Sequence, residues 1–316
     1  MKITKKQVGE ICKKLKVDLI SFEFLGRGAH NVNYIINTSQ DRFVLRIAEG
    51  LQFDNLEEEY KFLKKTKGKL GPKVFLFDDS RKILKKDYLI EEFIEGEHPK
   101  KADKNYIKLM AKWYKKIHKI KIKRKMLALH KRLGVKKYKK FNCLLDIDIK
   151  SRLDELYINS IDLFKKNESL FKKIKYLSLN HGDPSRMNVF YDKKSVRLID
   201  WEMVHYNIPE ADLVFFVWSY ELNKKQEKLF LNTYGYPKTK NARLKFNLRL
   251  LAHIWGMVSW RLERLDLIFK KKIENTGHTS SKEDVYKENE EDIIRIKKIL
   301  NELHCSVSPS LRSARA

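Results

Sequence analysis

The chain has 316 residues, 42% of them apolar and 11% aromatic, enough to bury a core and to exclude an intrinsically disordered chain. Lys and Arg number 68 against 41 Asp and Glu, a formal net charge of +27. No apolar run approaches the about 20 residues of a membrane span, and the cysteines Cys12, Cys143 and Cys305 show neither metal spacing nor an even count to pair.

The first stretch, MKITKKQVGEICKKLKV, spaces its apolar residues as a helix does and lacks the apolar core of a signal peptide. With unpaired cysteines this predicts a cytoplasmic protein. From Asp18 to Phe93 the pattern is mostly strand: DLISFEFLG leads into a glycine turn, followed by NVNYIIN, RFVLRIA and YLIEEFI. Between the last two, FDNLEEEYKFLKK reads as a helix with its N-cap at Asp54 or Asn55. After Gly96 the pattern turns helical, in KNYIKLMAKWYKKIHKI, Ser151 to Phe171, Ala242 to Leu267 and Asp284 to Leu303. The predicted class is α+β, a strand-rich lobe over 1–95 and a helical lobe over 96–304, with a disordered tail over 305–316.

Fourteen of the 29 positions from Lys112 to Lys140 are Lys or Arg. Lysine dominates and no aromatic ladder accompanies it, so the stretch reads as solvated helix faces and not as a specific nucleic-acid interface. The other use of such a patch is weak association with an anionic membrane surface. Oligomeric state leaves no trace in the sequence.

The chemistry concentrates in LNHGDPSRMNVFYDKKSVRLIDWE, Leu179 to Glu202. Asn188 follows Asp183 by five positions and Asp200 follows by twelve more. The apolar runs NVFYD and VRLID, joined through Asp192, Lys193 and Lys194, suit a hairpin that brings Asn188 and Asp200 together. Oxygen ligands gathered in this way suit magnesium, and an acid beside a hydroxyl can take or orient its proton.

HGDPSRMNVFYD followed by LIDWE resembles the aminoglycoside phosphotransferase and choline/ethanolamine kinase superfamily, a variant of the bilobal protein kinase fold. The resemblance implies Asp183 as catalytic base, Asn188 and Asp200 as magnesium ligands and His181 as a brace for the loop. It also implies an ATP clamp in the first lobe. There FLGRGAHNVNY sets Gly26 and Gly28 in a turn whose N–H groups can approach phosphates. Arg46 of FVLRI stands where many such kinases carry Lys, with Glu59, or Glu58 before it, as partner. In YLIEEFIEGE, adenine would meet backbone groups near Glu92 and Ile94.

The acceptor implied is a small-molecule alcohol. HNVNYIIN with FVLRI, and LLAHIWGMVSWRLERL, are similar to the choline/ethanolamine branch. There Trp255 and Trp260 would wall an ammonium pocket and Glu202 would add negative potential. The alternatives are an aminoglycoside or sugar acceptor, or a pseudokinase that binds through its basic surface.

Overall fold

The structure, a computed structural model, describes residues 2–28, 31–49, 56–123, 138–172, 174–271 and 281–307. The N-cap expected at Asp54 or Asn55, the basic stretch 124–137 and the tail beyond 307 lie outside the described residues. The chain runs α1 (Lys5–Leu15), β1 (Leu19–Arg27), β2 (Asn31–Thr38), β3 (Arg42–Ala48), α2 (Leu56–Thr66), β4 (Val74–Asp78) and β5 (Tyr88–Glu92). Next come α3 (Lys104–Ile117), β6 (Lys121–Lys123), α4 (Tyr138–Phe141), α5 (Ile147–Lys166), α6 (Ser169–Lys172) and β7 (Tyr176–Asn180). It continues with β8 (Val189–Tyr191), β9 (Val196–Leu198), β10 (His205–Asn207), α7 (Glu210–Ser219), α8 (Lys224–Tyr234), α9 (Lys240–Phe269) and α10 (Lys282–Val307).

Two compact units form. One comprises the described residues of Met1–Ile120, Leu179–Tyr206 and Ser219–Tyr234; the other comprises those of Lys121–Ser178, Asn207–Trp218 and Gly235–Ala316. No helix of the described residues is long and apolar enough to cross a membrane.

In the first unit five strands form a sheet in the order β1-β2-β3-β5-β4, each antiparallel to its neighbours. Side chains alternate across a strand, so Val32, Tyr34 and Ile36 share one face with Phe43, Leu45, Ile47, Tyr88 and Ile90. That face packs on Val8, Ile11 and Cys12 of α1. The opposite face carries Ala48 and Leu89 against Leu56 of α2. The α1 helix starts in a capping box between Thr4 and Gln7 and stops where Lys16 turns left-handed. In the same unit α3 packs against α8, and β8 pairs with β9.

In the second unit the 30-residue α9 is the spine, packed by α4, α5 and α10. Trp255 is fully buried in it. Its Nε1–H donates to Ser160 Oγ at 3.0 Å, and its ring meets Tyr138 and Tyr157 at 5.1 and 5.4 Å. Arg261, also buried, is neutralised by Asp292 and Glu288 from α10.

Sequence reading finds β1, β2, β3, β5, α3, α9 and α10 but passes over β4 and α7. The α7 helix is buried all round, from Glu210 through Leu213 to Val217, so it has no amphipathic period to read. The α10 helix runs to Val307, into the span predicted as tail.

Asp78 ties β4 to its neighbours. Its buried carboxylate accepts from Lys14, from the N–H and hydroxyl of Ser80, and from the hydroxyl of Tyr88, itself fully buried. Burial alone would raise its pKa; these donors outweigh it and hold the carboxyl well below its usual range. Asp78→Ala strands the Tyr88 hydroxyl and should cost about 2–4 kcal/mol, read as a lower midpoint in urea unfolding. An unchanged midpoint would show that Asp78 does not anchor β4.

Candidate active site

The alternation that buries Phe43, Leu45 and Ile47 on α1 turns Arg46 to the other face, where it pairs across the sheet with Asn33 and Leu89. On α2 the buried stripe is Leu56, Glu59 and Leu63, so helix phase presents Glu59 inward and leaves Glu58 exposed with Lys61. Arg46 donates from Nη1 to Glu59 Oε1 at 2.7 Å and from Nη2 to Asp200 Oδ1 at 2.7 Å. Glu59 Oε1 also accepts the Trp201 N–H at 2.8 Å. The choice between Glu58 and Glu59 is therefore resolved: Glu59 is the partner.

The loop with Asp183 is fixed by its neighbours. His181 is fully buried between Trp113 and Trp201. Its Nε2 lies 3.0 Å from the Ile199 carbonyl, and Nδ1 accepts the Asp183 N–H at 3.4 Å, the pattern of a neutral imidazole. Gly182 has φ +95°, and a Cβ there would stand 2.3 Å from the Met203 carbonyl oxygen, so glycine is required. Asn188 ends a short 3₁₀ turn and donates from Nδ2 to both the backbone oxygen and Oδ2 of Asp183, each at 3.0 Å. The expected hairpin forms with Val189 opposite Leu198, and its turn closes on Asp192, whose Oδ1 accepts from the Lys194 and Ser195 N–H groups. The Ile199 N–H then donates to the Asn188 carbonyl at 3.0 Å, so Asn188, Asp183 and Asp200 do converge.

The electrostatics are those of crowded acids. Burial and then the charge of Asp200 push Asp183 up to about 6. Glu202 is pushed up to about 8 by burial and Asp200, and Asn31 Nδ2 stands 3.5 Å from its carboxylate. Burial tends to neutralise Arg46, but Glu59, Asp200, Glu91 and Glu202 outweigh it and keep the guanidinium charged.

Glu91, which sequence reading missed, is buried on the Arg46 face with Oε2 3.7 Å from Nη1. Burial, then Glu59 and Asp200, push it up to about 8. Strand alternation was the available signal, since Tyr88 and Ile90 face α1 and Leu89 and Glu91 must face away.

The remaining expectations fare unevenly. Gly26 lies in β1 and the Gly28 N–H donates to the Asn31 carbonyl at 2.8 Å; a Cβ on either would meet nothing closer than 3.7 Å among the described residues. Packing among the described residues thus demands neither glycine. Glu92 is committed within the unit: its N–H bonds the Lys73 carbonyl and its carboxylate takes a two-pronged bond from Arg197 at 2.9 and 2.8 Å. The Phe93 N–H bonds the Arg42 carbonyl, which leaves Ile94 as the first backbone donor here with no partner among the described residues. Trp255 and Trp260 belong to the second unit. Trp255 is a correction, because its buried ring and bonded N–H make it core and not pocket wall. Trp260 is 45% exposed and its ring already carries the Arg264 guanidinium at 5.9 Å.

Among the described residues no three His, Cys, Asp or Glu side chains form a ready cation cage. The Asp200 carboxylate with the Asn188 amide still fits magnesium, which takes one or two protein oxygens and leaves the rest to water and phosphate. Residues 21–245 match the model of the phosphotransferase enzyme family. The chain belongs to that family. A relative called Protein LicA homolog, from Mycoplasma capricolum subsp. capricolum, is 23% identical over 252 residues, covering 79% of this chain and 94% of that one. Choline kinase LicA from Streptococcus pneumoniae matches in structure with TM-score 0.65 and 20% identity, over 94% of this chain and 99% of that one. Spectinomycin phosphotransferase APH(9)-Ia, in complex with ADP and spectinomycin, matches with TM-score 0.65 and 17% identity over 96% and 100%. The fold of this phosphotransferase is thus protein-kinase-like, as the loop motif implied.

Two predictions follow from the Arg46 cluster. Arg46→Met leaves Glu59 buried without its countercharge and should cost about 3–5 kcal/mol of stability; a loss below about 1 kcal/mol in urea unfolding would mean that the pair holds nothing. Glu91 has a folded pKa of about 8, above the about 4.3 of an unfolded Glu. The folded chain therefore binds the proton more tightly, and stability falls as pH rises between those values. Glu91→Gln should remove this penalty and gain about 1–3 kcal/mol over the parent at pH 8.5, with the gap closing towards pH 4. A gap independent of pH would count against a protonated Glu91.

Proposed function

We propose that this phosphotransferase moves the γ-phosphoryl group of ATP to the hydroxyl of a small molecule, with magnesium, at the site of Asp183, Asn188 and Asp200. The observation that carries the reading is the convergence of these three residues beside the Arg46–Glu59 pair within one unit. In this reading Asp183 accepts a hydrogen bond from the acceptor hydroxyl and takes its proton as the new P–O bond forms. Its raised pKa suits that task, since a base with pKa near the working pH releases and accepts protons readily. Asn188 keeps Asp183 in place, and with Asp200 it would hold the cation. Magnesium, when bound, neutralises charge on the phosphoryl oxygens. Arg46, fixed by Glu59, offers its guanidinium to phosphate oxygens, and the turn carrying Gly26 and Gly28 would lie along the phosphates, although the Gly28 N–H is already bonded to Asn31. Adenine would meet the Ile94 N–H and the backbone near Glu92. Nucleotide binding would fall to the 1–95 lobe and acceptor selection to the 96–304 lobe.

The acceptor we favour is an amino-alcohol such as choline or ethanolamine. Support comes from relatives named LicA, one of them described as a choline kinase, that match over most of the chain. An aminoglycoside or sugar acceptor is the second reading, and the spectinomycin phosphotransferase match favours it. Magnesium-dependent release of ADP in the presence of choline, ethanolamine, simple sugars, homoserine and aminoglycosides separates them. Turnover with choline or ethanolamine alone supports the first, turnover with aminoglycosides or sugars alone the second, and none with any alcohol overturns both. With the accepted alcohol, Asp183→Ala should lower kcat by about 10²–10⁴-fold while leaving ADP affinity within about threefold. Parental kcat in that variant would remove Asp183 from the chemistry.

A further inference from the structure

The α3 helix carries a charge pattern that phosphotransfer does not use. One side of it, from Tyr106 through Met110 and Tyr114 to Ile117, is buried, which fixes the direction of the opposite face. On that face Lys104, Lys108, Lys112 and Lys115 recur at spacings of four, four and three, and Lys119 continues the row just past the helix. At 3.6 residues per turn the four helical positions fall in one stripe about 80° wide and about 16 Å long. None of the five lysines makes a hydrogen bond or ion pair among the described residues. Neighbouring segments widen the row. Lys116 Nζ donates to the Lys69 carbonyl at 3.4 Å, Asn105 Nδ2 to the Lys193 carbonyl at 2.7 Å and Gln226 Nε2 to the Ala102 carbonyl at 3.0 Å. These bonds set the turn after α2, the β8–β9 turn and the start of α8 beside α3, all within the first unit. Residues 67–69, 101–120, 192–195 and 221–228 together hold 14 lysines, no arginine and four acids. Of the acids, Asp103 caps α3 through the Tyr106 N–H, Asp192 accepts from the Lys194 and Ser195 N–H groups, and Glu227 is buried, which leaves Glu221.

A lysine-rich composition does not account for this row. On α2, α5, α9 and α10 cations stand one turn from an acid, as in Glu57–Lys61, Asp148–Arg152, Asp266–Lys270 and Glu291–Arg295. The α3 helix contains no acid, and like charges one turn apart destabilise a helix. Repulsion retained along a helix whose other side is locked in the core fits a polyanionic partner that relieves it. Residue type then selects the partner. Nucleic acid is gripped by arginine forks and stacked aromatics, and the basic segments here hold no arginine. The compact, strongly hydrated charge of lysine suits the diffuse field of an anionic bilayer, which attracts clusters of four to eight basic residues on a helix. Ile120, 40% exposed at the end of the row, offers an aliphatic side chain to the same interface.

We infer that the lysine face of α3 docks the protein peripherally on an anionic lipid bilayer, with the row from Lys104 to Lys119 against the phospholipid headgroups. The attraction is electrostatic, so it reads lipid charge and falls with salt. It stands apart from the reading of Asp183, because docking is measured without turnover.

The test is co-sedimentation of the full chain with large unilamellar vesicles at physiological salt. One set is phosphatidylcholine alone and the other carries about 30% phosphatidylserine. The expected result is partition onto the second set only, lost on raising the salt. Combining Lys104→Gln, Lys112→Gln and Lys115→Gln should weaken that partition about twentyfold or more, at about fivefold per charge. The same three positions changed to arginine should keep it within about threefold. A control combining Lys166→Gln, Lys297→Gln and Lys298→Gln, exposed lysines of α5 and α10, removes the same charge and should also stay within about threefold. Thermal unfolding confirms that each variant is folded. No partition onto the anionic vesicles, equal partition onto phosphatidylcholine alone, or equal weakening in the two glutamine variants would overturn the proposal. A short DNA duplex that binds at physiological salt, and is lost in the α3 glutamine variant, would assign the face to nucleic acid and overturn the lipid.

Discussion

The guanidinium of Arg46 is the group on which the first unit's site depends. It joins three segments that are distant in sequence: β3, which carries it, α2 through Glu59, and the segment after the β8–β9 hairpin through Asp200. A lysine would bring one point charge to this position. The planar fork sends separate N–H groups in two directions, which sets the angle between α2 and the Asp200 loop as well as their distance. Burying so much charge is not a source of net stability, because desolvation offsets most of the attraction. What it confers is a single arrangement, since any shift of α2 or of the Asp200 loop strands a carboxylate in a dry interior.

The loop that carries Asp183 is held from below by tryptophan. Trp201 follows Asp200 directly, is fully buried, donates its indole N–H to Leu198 and its backbone N–H to Glu59. Asp200 itself has φ +63°, an uncommon conformation for a residue with a side chain. The bonds on either side of it hold that conformation, which aims the carboxylate back at Arg46. Gly71 packs so close to the indole that a Cβ there would lie 2.4 Å from Nε1. His181 packs against the same indole with ring centroids 4.4 Å apart and carries that order to Asp183. The sequence HGD followed by IDWE is thus one packing unit, in which the apolar and the polar residues position one another.

This explains what was legible in the sequence. Asp183, Asn188 and Asp200 could be read because the hairpin that gathers them is local, and its turn chemistry at Asp192 is visible in the chain. Arg46 could be read from its place in a short apolar strand. The choice of Glu59 over Glu58 needed the phase of α2, which becomes clear only when Leu56 and Leu63 are known to be buried. Glu91 was hidden by its neighbour: two glutamates in a row at a strand end look solvated, yet the register sends one inward to Arg46 and the other to Arg197. Trp255 was misread because a tryptophan on an apolar helix carries no mark of which face it occupies, and here Tyr138 and Tyr157 claim it.

The net charge of +27 and the chemistry of the site have opposite signs. Among the described residues no lysine is buried, whereas Arg46 and Arg261 are almost fully so. Lysine's compact, strongly hydrated charge stays in water, and the more weakly hydrated guanidinium tolerates the interior. The excess charge therefore forms a solvated shell, screened over about 8 Å at physiological salt. Around Asp183 the balance reverses: Asp183, Asp200 and Glu59 face a single guanidinium, and burial beside these acids pushes Glu91 and Glu202 up to about 8. A polyphosphate drawn in by the lysine shell meets net repulsion at the site unless a cation comes with it. On the proposed reading this local excess of acid makes nucleotide binding depend on the divalent ion, because Arg46 is already shared between Glu59 and Asp200 and cannot balance the phosphates alone.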